Sequence, residues 1–159
     1  MHKRIILVGR AASGKDHIRK KLEDRGFKYA VSYTTRPPRT SEVDGKDYIF
    51  ISEEVAQKMI QNDEFYEYVE FNGWLYGTSR EQFETDDVFI MTPTGLSHID
   101  EVSRKQSFVI FIDIAEDVRR QRMLARDMPG DSVERRLEAD RLDFENFSNY
   151  DIRITNHDF

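Results

Sequence analysis

The sequence predicts an α/β fold: a parallel sheet flanked by helices, interrupted early by a mixed αβ insert. Three observations predict it. Apolar runs at 5–8, 87–91 and 107–114 alternate with segments of helical periodicity, the pattern of right-handed βαβ units. The first run breaks into Gly9-Arg10-Ala11-Ala12-Ser13-Gly14-Lys15 and continues as a helix pattern (Ile18, Leu22), so strand, glycine loop and helix follow one another directly. Between 33 and 78 the segments become aromatic-rich and antiparallel in character, which sets them apart from the alternating frame.

In chain order, the strand at 5–8 leads through the loop into a helix over 15–25, closed by Gly26 as the residue beyond its C-cap. A short strand follows at 29–32, then a polar loop over 33–45 in which Pro37 and Pro38 stiffen the segment between Arg36 and Arg39. A strand at 46–51 precedes a helix capped by Ser52, with Val55, Met59 and Ile60 on one face, ending near 62. The aromatic strand 65–71 turns at Asn72-Gly73 and returns at 74–76. The remainder reads as a short helix 79–84, a strand 87–91, a helix 94–104, a strand 107–114, an arginine-rich helix 116–126, a turn 127–131, a helix from Ser132 to about 147 and a last strand 152–155.

The chain has 159 residues, enough for one domain with a sizeable core and too few for two. Acids outnumber Lys and Arg, 30 to 24, so no general basic field draws nucleic acid, and any anion must be bound locally. The absence of cysteine excludes disulfides and zinc–thiolate sites and agrees with a reducing compartment. No apolar run approaches the ~20 residues of a membrane span. The expectation is a soluble, cytoplasmic protein with no nucleic-acid or membrane partner.

Gly9 to Gly14-Lys15 has the G-x-x-x-x-G-K spacing of a phosphate-binding loop (P-loop), in which loop N–H groups and the following helix N-terminus surround phosphate oxygens and the lysine reaches the β and γ phosphates. A glycine-bearing turn with an exposed lysine is the alternative. The Ser or Thr that ligates magnesium in this motif is replaced by Asp16. A carboxylate holds a hard cation well, and an acid in the first helical turn also complements the helix dipole; both readings stand. Arg36 and Arg39, three apart on the proline-stiffened loop, either bind a phosphate with fixed guanidinium forks or form a basic turn paired with Glu42 and Asp44.

The segment 31–50, V-S-Y-T-T-R-P-P-R-T-S-E-V-D-G-K-D-Y-I-F, resembles the signature of guanylate kinases, P-loop NTPase-fold enzymes that transfer a phosphoryl group from ATP to GMP. The resemblance extends through N-D-E-F-Y-E at 62–67, N-G-W-L-Y-G-T at 72–78, the arginines of 119–137 and T-N-H-D at 155–158, and so covers almost the whole chain. It implies a core of 1–32 and 81–159, a monophosphate-binding insert at about 33–80 and a helical lid at about 119–136. It places Arg36, Arg39, Tyr48 and Tyr76 around the acceptor phosphate, and Ser32, Glu67 and Thr78 at the guanine edge, with Gly77 and Thr92 in the same site. Without the resemblance, Glu67 would read as a solvent-facing strand residue and the tyrosines as core. Gly9, Arg10, Ala11, Ala12, Ser13, Gly14, Lys15 and Asp16 would hold ATP, with Asn156 near the adenine, though Asn suits a turn equally. Lys15, Arg39, Arg126 and Arg136 would act on the transferring phosphoryl group. The other arginines of 119–141 read as a solvated face or as partners of Glu134, Glu138 and Asp140. ATP with Mg2+, GMP or dGMP, a place in purine nucleotide metabolism and a monomeric or homodimeric state are the corresponding expectations.

Three departures from that pattern stand out. Asp16 replaces the loop Ser or Thr; Ile90-Met91-Thr92 replaces the acidic Asp-Ile-Asp ahead of Gly95; and the chain stops soon after Asn156, where the family continues with a helix. The paired change suggests that Asp16 takes over metal binding from the missing strand-end aspartate. The first two departures also resemble ribose 1,5-bisphosphate phosphokinases of the same fold, which lack the full 36–48 segment and the Glu67 context. A second alternative is a catalytically inactive guanylate-kinase-like module that binds protein partners.

Overall fold

The structure is a computed structural model and describes residues 2–126 and 131–159. Two four-stranded sheets organise these residues, with strand orders β6-β1-β7-β8 and β3-β2-β5-β4. In the first, all parallel, β1 (Arg4–Gly9) lies between β6 (Val88–Ile90) and β7 (Ser107–Ile112), and β8 (Ile152–Ile154) adds to the outer side of β7. Such a sheet is covered on both faces, which is why its strands are near-continuous apolar runs: Ile6, Leu7, Val8, Val88, Val109 and Ile112 are each fully shielded. The central position of β1 delivers the glycine loop to the carboxyl edge of the sheet, where ligands of open α/β sheets bind. Helix α1 (Lys15–Asp24) starts there, and Gly14 turns the chain into it at φ +102°.

The second sheet is the insert. Strand β4 (Phe65–Phe71) pairs antiparallel with β5 (Trp74–Ser79), which pairs with β2 (Tyr33–Thr34), which in turn carries β3 (Ile49–Phe50) in parallel. Helix α2 (Glu53–Gln61), capped by the Ser52 side chain on Val55 N, buries Ala56 and Met59 against Phe65 and Leu75. Helix α3 (Arg80–Thr85) opens with a reciprocal Ser79–Gln82 capping box and returns the chain to the core.

Several elements differ from the sequence expectation. Residues 29–32 do not form a strand: Tyr29 makes a single bridge to Val88, and the chain then crosses to the insert, where pairing begins at Tyr33. The strand expected at 46–51 is reduced to Ile49–Phe50. Asp47 and Asp44 side chains take the backbone N–H groups of Val43 and Phe50 and curl the loop. The helix expected over 94–104 is two helices, α4 (Pro93–Ser97) and α5 (Glu101–Lys105), because Thr92 and Asp100 each cap a new start. Helices α6 (Glu116–Leu124) and α7 (Val133–Asp143) follow, and α7 stops short of 147. Past α7, Asn146 adopts φ +56°, and Phe144, Phe147 and Tyr150 gather on Phe111. Of the turn expected at 127–131, and of the lid segment around it, residues 127–130 lie outside the described residues.

Candidate active site

Two clefts open at the carboxyl edge of β1. The first, about 970 Å³, is lined by the loop and first turn of α1 (Ala11 to His17) together with Arg39, Tyr48, Arg122, Arg126, Arg136, His157 and Phe159. The second, about 600 Å³, runs between core and insert, with Ser32, Glu67, Tyr76 and Gly77 on the insert side and Met91, Thr92 and Phe144 on the core side. Ala11, Lys15, Tyr48 and Arg136 line both, so the clefts meet at the loop lysine.

The loop is locally determined. A Cβ at Gly9 would lie 2.8 Å from the Ile112 carbonyl, and one at Gly14 would lie 2.8 Å from the Phe159 ring, so neither position admits a side chain without displacement. Ala12 also takes a positive φ, its carbonyl held by Arg122 Nη1 at 2.9 Å. Lys15 Nζ folds back to the carbonyls of Gly9 and Arg10. Burial lowers its pKa to about 8, against the attraction of Asp140. Arg10 contributes its carbonyl only; its guanidinium pairs with Asp113 at 2.7 Å and lies over Phe144. Ser13 is buried beside Gly9. The Asp16 carboxylate accepts from Arg19 Nη2 at 3.0 Å, and the same nitrogen reaches Asp47 at 2.9 Å, so the first turn of α1 is tied to the loop that carries Tyr48.

Arg39, Arg126 and Arg136 converge from the insert, the turn after α6, and α7. Their crowding is an electrostatic cost in the absence of an anion. Burial first, then the charges of Arg39 and Arg136, push the Arg126 pKa down to about 10. The Nε–H groups of Arg126 and Arg136 are buried without a partner among the described residues. Arg36 is placed differently. Its guanidinium forms a two-pronged bond to Glu42 (2.9 and 2.8 Å) and lies over the Tyr48 ring, while Glu42 also accepts from Arg39 N at 2.7 Å. Glu42 thus pairs with the arginine loop as the alternative reading allowed, but Arg36 is buried rather than solvated, and Asp44 is engaged with Phe50 instead.

Glu67 is the unexpected feature of the second cleft on residue grounds. Strand β4 carries a bulge between Phe65 and Glu67 that turns the carboxylate inward, 6% exposed, while Tyr68 faces out. Thr78 Oγ1 donates to Glu67 Oε1 at 2.8 Å. Burial raises the carboxyl pKa to about 7. Gly95 of α4 makes the room: a Cβ there would lie 2.8 Å from Glu67 Oε2. Tyr48 and Tyr76 pack edge to face at 6.1 Å between the two clefts. Thr92 lines the cleft but spends its hydroxyl on capping α4 at Gly95 N, 3.0 Å. Asn156 makes a local turn through Asp158 N and is absent from the residues lining either cleft.

Several contributors were not legible as such in the sequence: Arg122, Gly95, His157, Phe159 and the buried Asp140. Arg119, Arg122, Met123 and Arg126 recur at helical spacing, a signal that separates an inward arginine face from the solvated one.

The sequence matches the family profile described as Guanylate kinase over residues 1–159. The chain belongs to the guanylate kinase family. Guanylate kinases of Bacillus anthracis and Sus scrofa are each 32% identical to it, the alignments covering 96% and 89% of this chain and 79% and 76% of theirs. The crystal structure of guanylate kinase from Anaplasma phagocytophilum superposes with a TM-score of 0.76 at 25% identity, over 99% of this chain and 78% of that one. The ribose-bisphosphate and binding-module alternatives are not favoured by these similarities. The guanylate kinase assignment fits the P-loop core and the separate mixed sheet. Among the described residues no helix is long and apolar enough to cross a membrane.

Proposed function

We propose that the chain transfers the γ-phosphoryl group of ATP to GMP or dGMP, with the loop cleft holding the donor and the insert cleft holding the acceptor. The observation that carries this is the meeting of the two clefts at Lys15 and Arg136, with a cation-lined cleft on one side and a buried carboxylate on the other.

Glu67, once ionised, accepts from the N1–H and 2-amino groups of guanine, and Thr78 and Ser32 complete the polar edge. Adenine lacks that donor pair. Tyr48, Tyr76 and Arg39 face the acceptor phosphate, and Arg36 braces the segment through Glu42 and Tyr48. On the donor side, loop amides and Lys15 hold the β and γ phosphates, and Arg126 and Arg136 spread the charge that develops on the transferring group. For a loose phosphoryl-transfer transition state, positioning and charge are most of what a protein supplies. No side-chain base is required.

Among the described residues no group of three or more His, Asp or Glu is arranged to hold a metal ion. Asp16 is the acid among the residues lining the donor cleft, and one of its oxygens is not committed to Arg19. This suits an ion that arrives with ATP and keeps mostly phosphate and water ligands. Magnesium so held would neutralise the β and γ oxygens. Asp16→Ser, which restores the motif hydroxyl, tests this: full magnesium-dependent turnover in that variant would remove Asp16 from the metal site.

A coupled ADP-release assay with magnesium-ATP, offering GMP, dGMP, AMP, dTMP and ribose 1,5-bisphosphate in parallel and Lys15→Ala as the blank, tests the whole reading. Turnover confined to GMP and dGMP is expected. Turnover on ribose 1,5-bisphosphate alone, or none on any acceptor, would overturn it.

A further inference from the structure

Asp140 belongs to none of the motifs described in the sequence, yet it is 2% exposed at the junction of the two clefts. Its Oδ2 accepts from Ala11 N of the glycine loop at 3.0 Å and lies 3.6 Å from Arg119 Nη1. Arg119 in turn donates through Nε to the Ile114 carbonyl at 2.9 Å, just beyond β7. One carboxylate oxygen therefore joins three elements: the phosphate loop, α6 and α7.

Burying a carboxylate costs several kcal/mol unless partners offset it. An apolar residue at 140 would leave the Ala11 N–H and the Arg119 guanidinium to find other partners. An acid beside an anion-binding loop also repels phosphate, so its presence calls for a compensating role. The helix geometry supplies one. Arg136 precedes Asp140 by four residues and shares its face of α7. Holding Asp140 on Ala11 therefore fixes how far Arg136 reaches over the loop. The Asp140 charge also acts on Lys15 more strongly than that of Asp16 does, so the same group bears on both phosphate-binding cations.

We propose that Asp140 is a positioning residue for phosphoryl transfer, locking α7 and its Arg136 onto the phosphate loop at Ala11. This rests on the kinase reading above. Asp140→Asn keeps the shape and an acceptor for Ala11 N–H but removes the charge, and Asp140→Ala removes both. In each, kcat is expected to fall about tenfold or more while KM for GMP stays within about threefold, because the Glu67 end of the acceptor cleft is untouched.

The deciding measurement is a double-mutant cycle on kcat with Arg136→Ala. If Asp140 acts by placing Arg136, its substitution costs little once Arg136 is gone, and the two losses are strongly non-additive. Equal fold losses in both backgrounds, or wild-type kcat in both Asp140 variants, would overturn the proposal. Failure of both variants to give a cooperative melt would overturn it too, by making Asp140 a folding residue. If the unsubstituted chain does not phosphorylate GMP, the functional reading falls by itself. Asp140 is then judged by ATP binding, where a severalfold weaker affinity in Asp140→Asn is expected and an unchanged one refutes the role.

Discussion

At Glu67 the proposed recognition of guanine works against stability. Its carboxyl pKa is raised by burial to about 7, above the 4.5 of an exposed glutamate, so the unfolded chain holds fewer protons at this position between those values. Stability from this group is fully present below about pH 4.5 and is lost as pH rises through about 7, by an amount on the order of 3 kcal/mol. In the proposed guanine contact binding has the opposite sign, since only the ionised form accepts at both oxygens from N1–H and the 2-amino group. Two results follow. For the unsubstituted chain, kcat/KM for GMP rises between pH 6 and 8 in a pH-rate series at saturating ATP. Glu67→Gln raises the melting temperature more at pH 8 than at pH 5 while weakening GMP at least about tenfold. Gly95→Ala attacks the same site from α4: its Cβ would meet Glu67 Oε2 at 2.8 Å, so KM for GMP rises with kcat far less affected in steady-state kinetics. The charges at this scale were readable as residue types, but their burial was not. Alternation along β4 puts Glu67 and Glu70, three residues apart, on opposite faces, but nothing local says which face meets the cleft; a bulge and a glycine from a different helix decide that.

Elements whose sequence carries its own start signal were legible. The glycine loop, the Ser52 and Ser132 caps and the Asn72-Gly73 hairpin form where their local chemistry places them. Elements set by competition between partners were not. Residues 29–32 have strand character but stand where the chain passes between two sheets, and Asp44 and Asp47 divert the backbone donors of the loop before β3. Asp100 splits the helix expected at 94–104 by capping a second start, a signal present in the sequence but hidden under continuous periodicity. Ser52→Ala provides a check at this scale. Removing the bond to Val55 N is expected to cost about 1 kcal/mol in urea unfolding, leaving KM for ATP unchanged because α2 lies outside both clefts.

Across the whole molecule, the insert and α7 touch directly. Asn72 Nδ2 donates to Asp131 Oδ2 at 2.9 Å, and Arg135 Nη2 donates to the Asn72 carbonyl at 2.7 Å while its guanidinium lies over Trp74. Asn72 sits at φ +56°, so Asn72→Gly keeps the turn and removes only the side-chain link. The arginine face that α7 turns toward the loop is thereby clasped to the tip of the insert hairpin. A product leaving between the insert and α7 would have to break that clasp. Its strength therefore sets a residence time: if departure rather than chemistry limits the cycle, turnover slows as solvent viscosity rises, and Asn72→Gly turns over faster at saturating substrates with a higher KM for GMP. A pre-steady-state burst of ADP in the unsubstituted chain, diminished in the variant, is the expected record of that slow departure, and a linear time course in both would place the limit at the phosphoryl step.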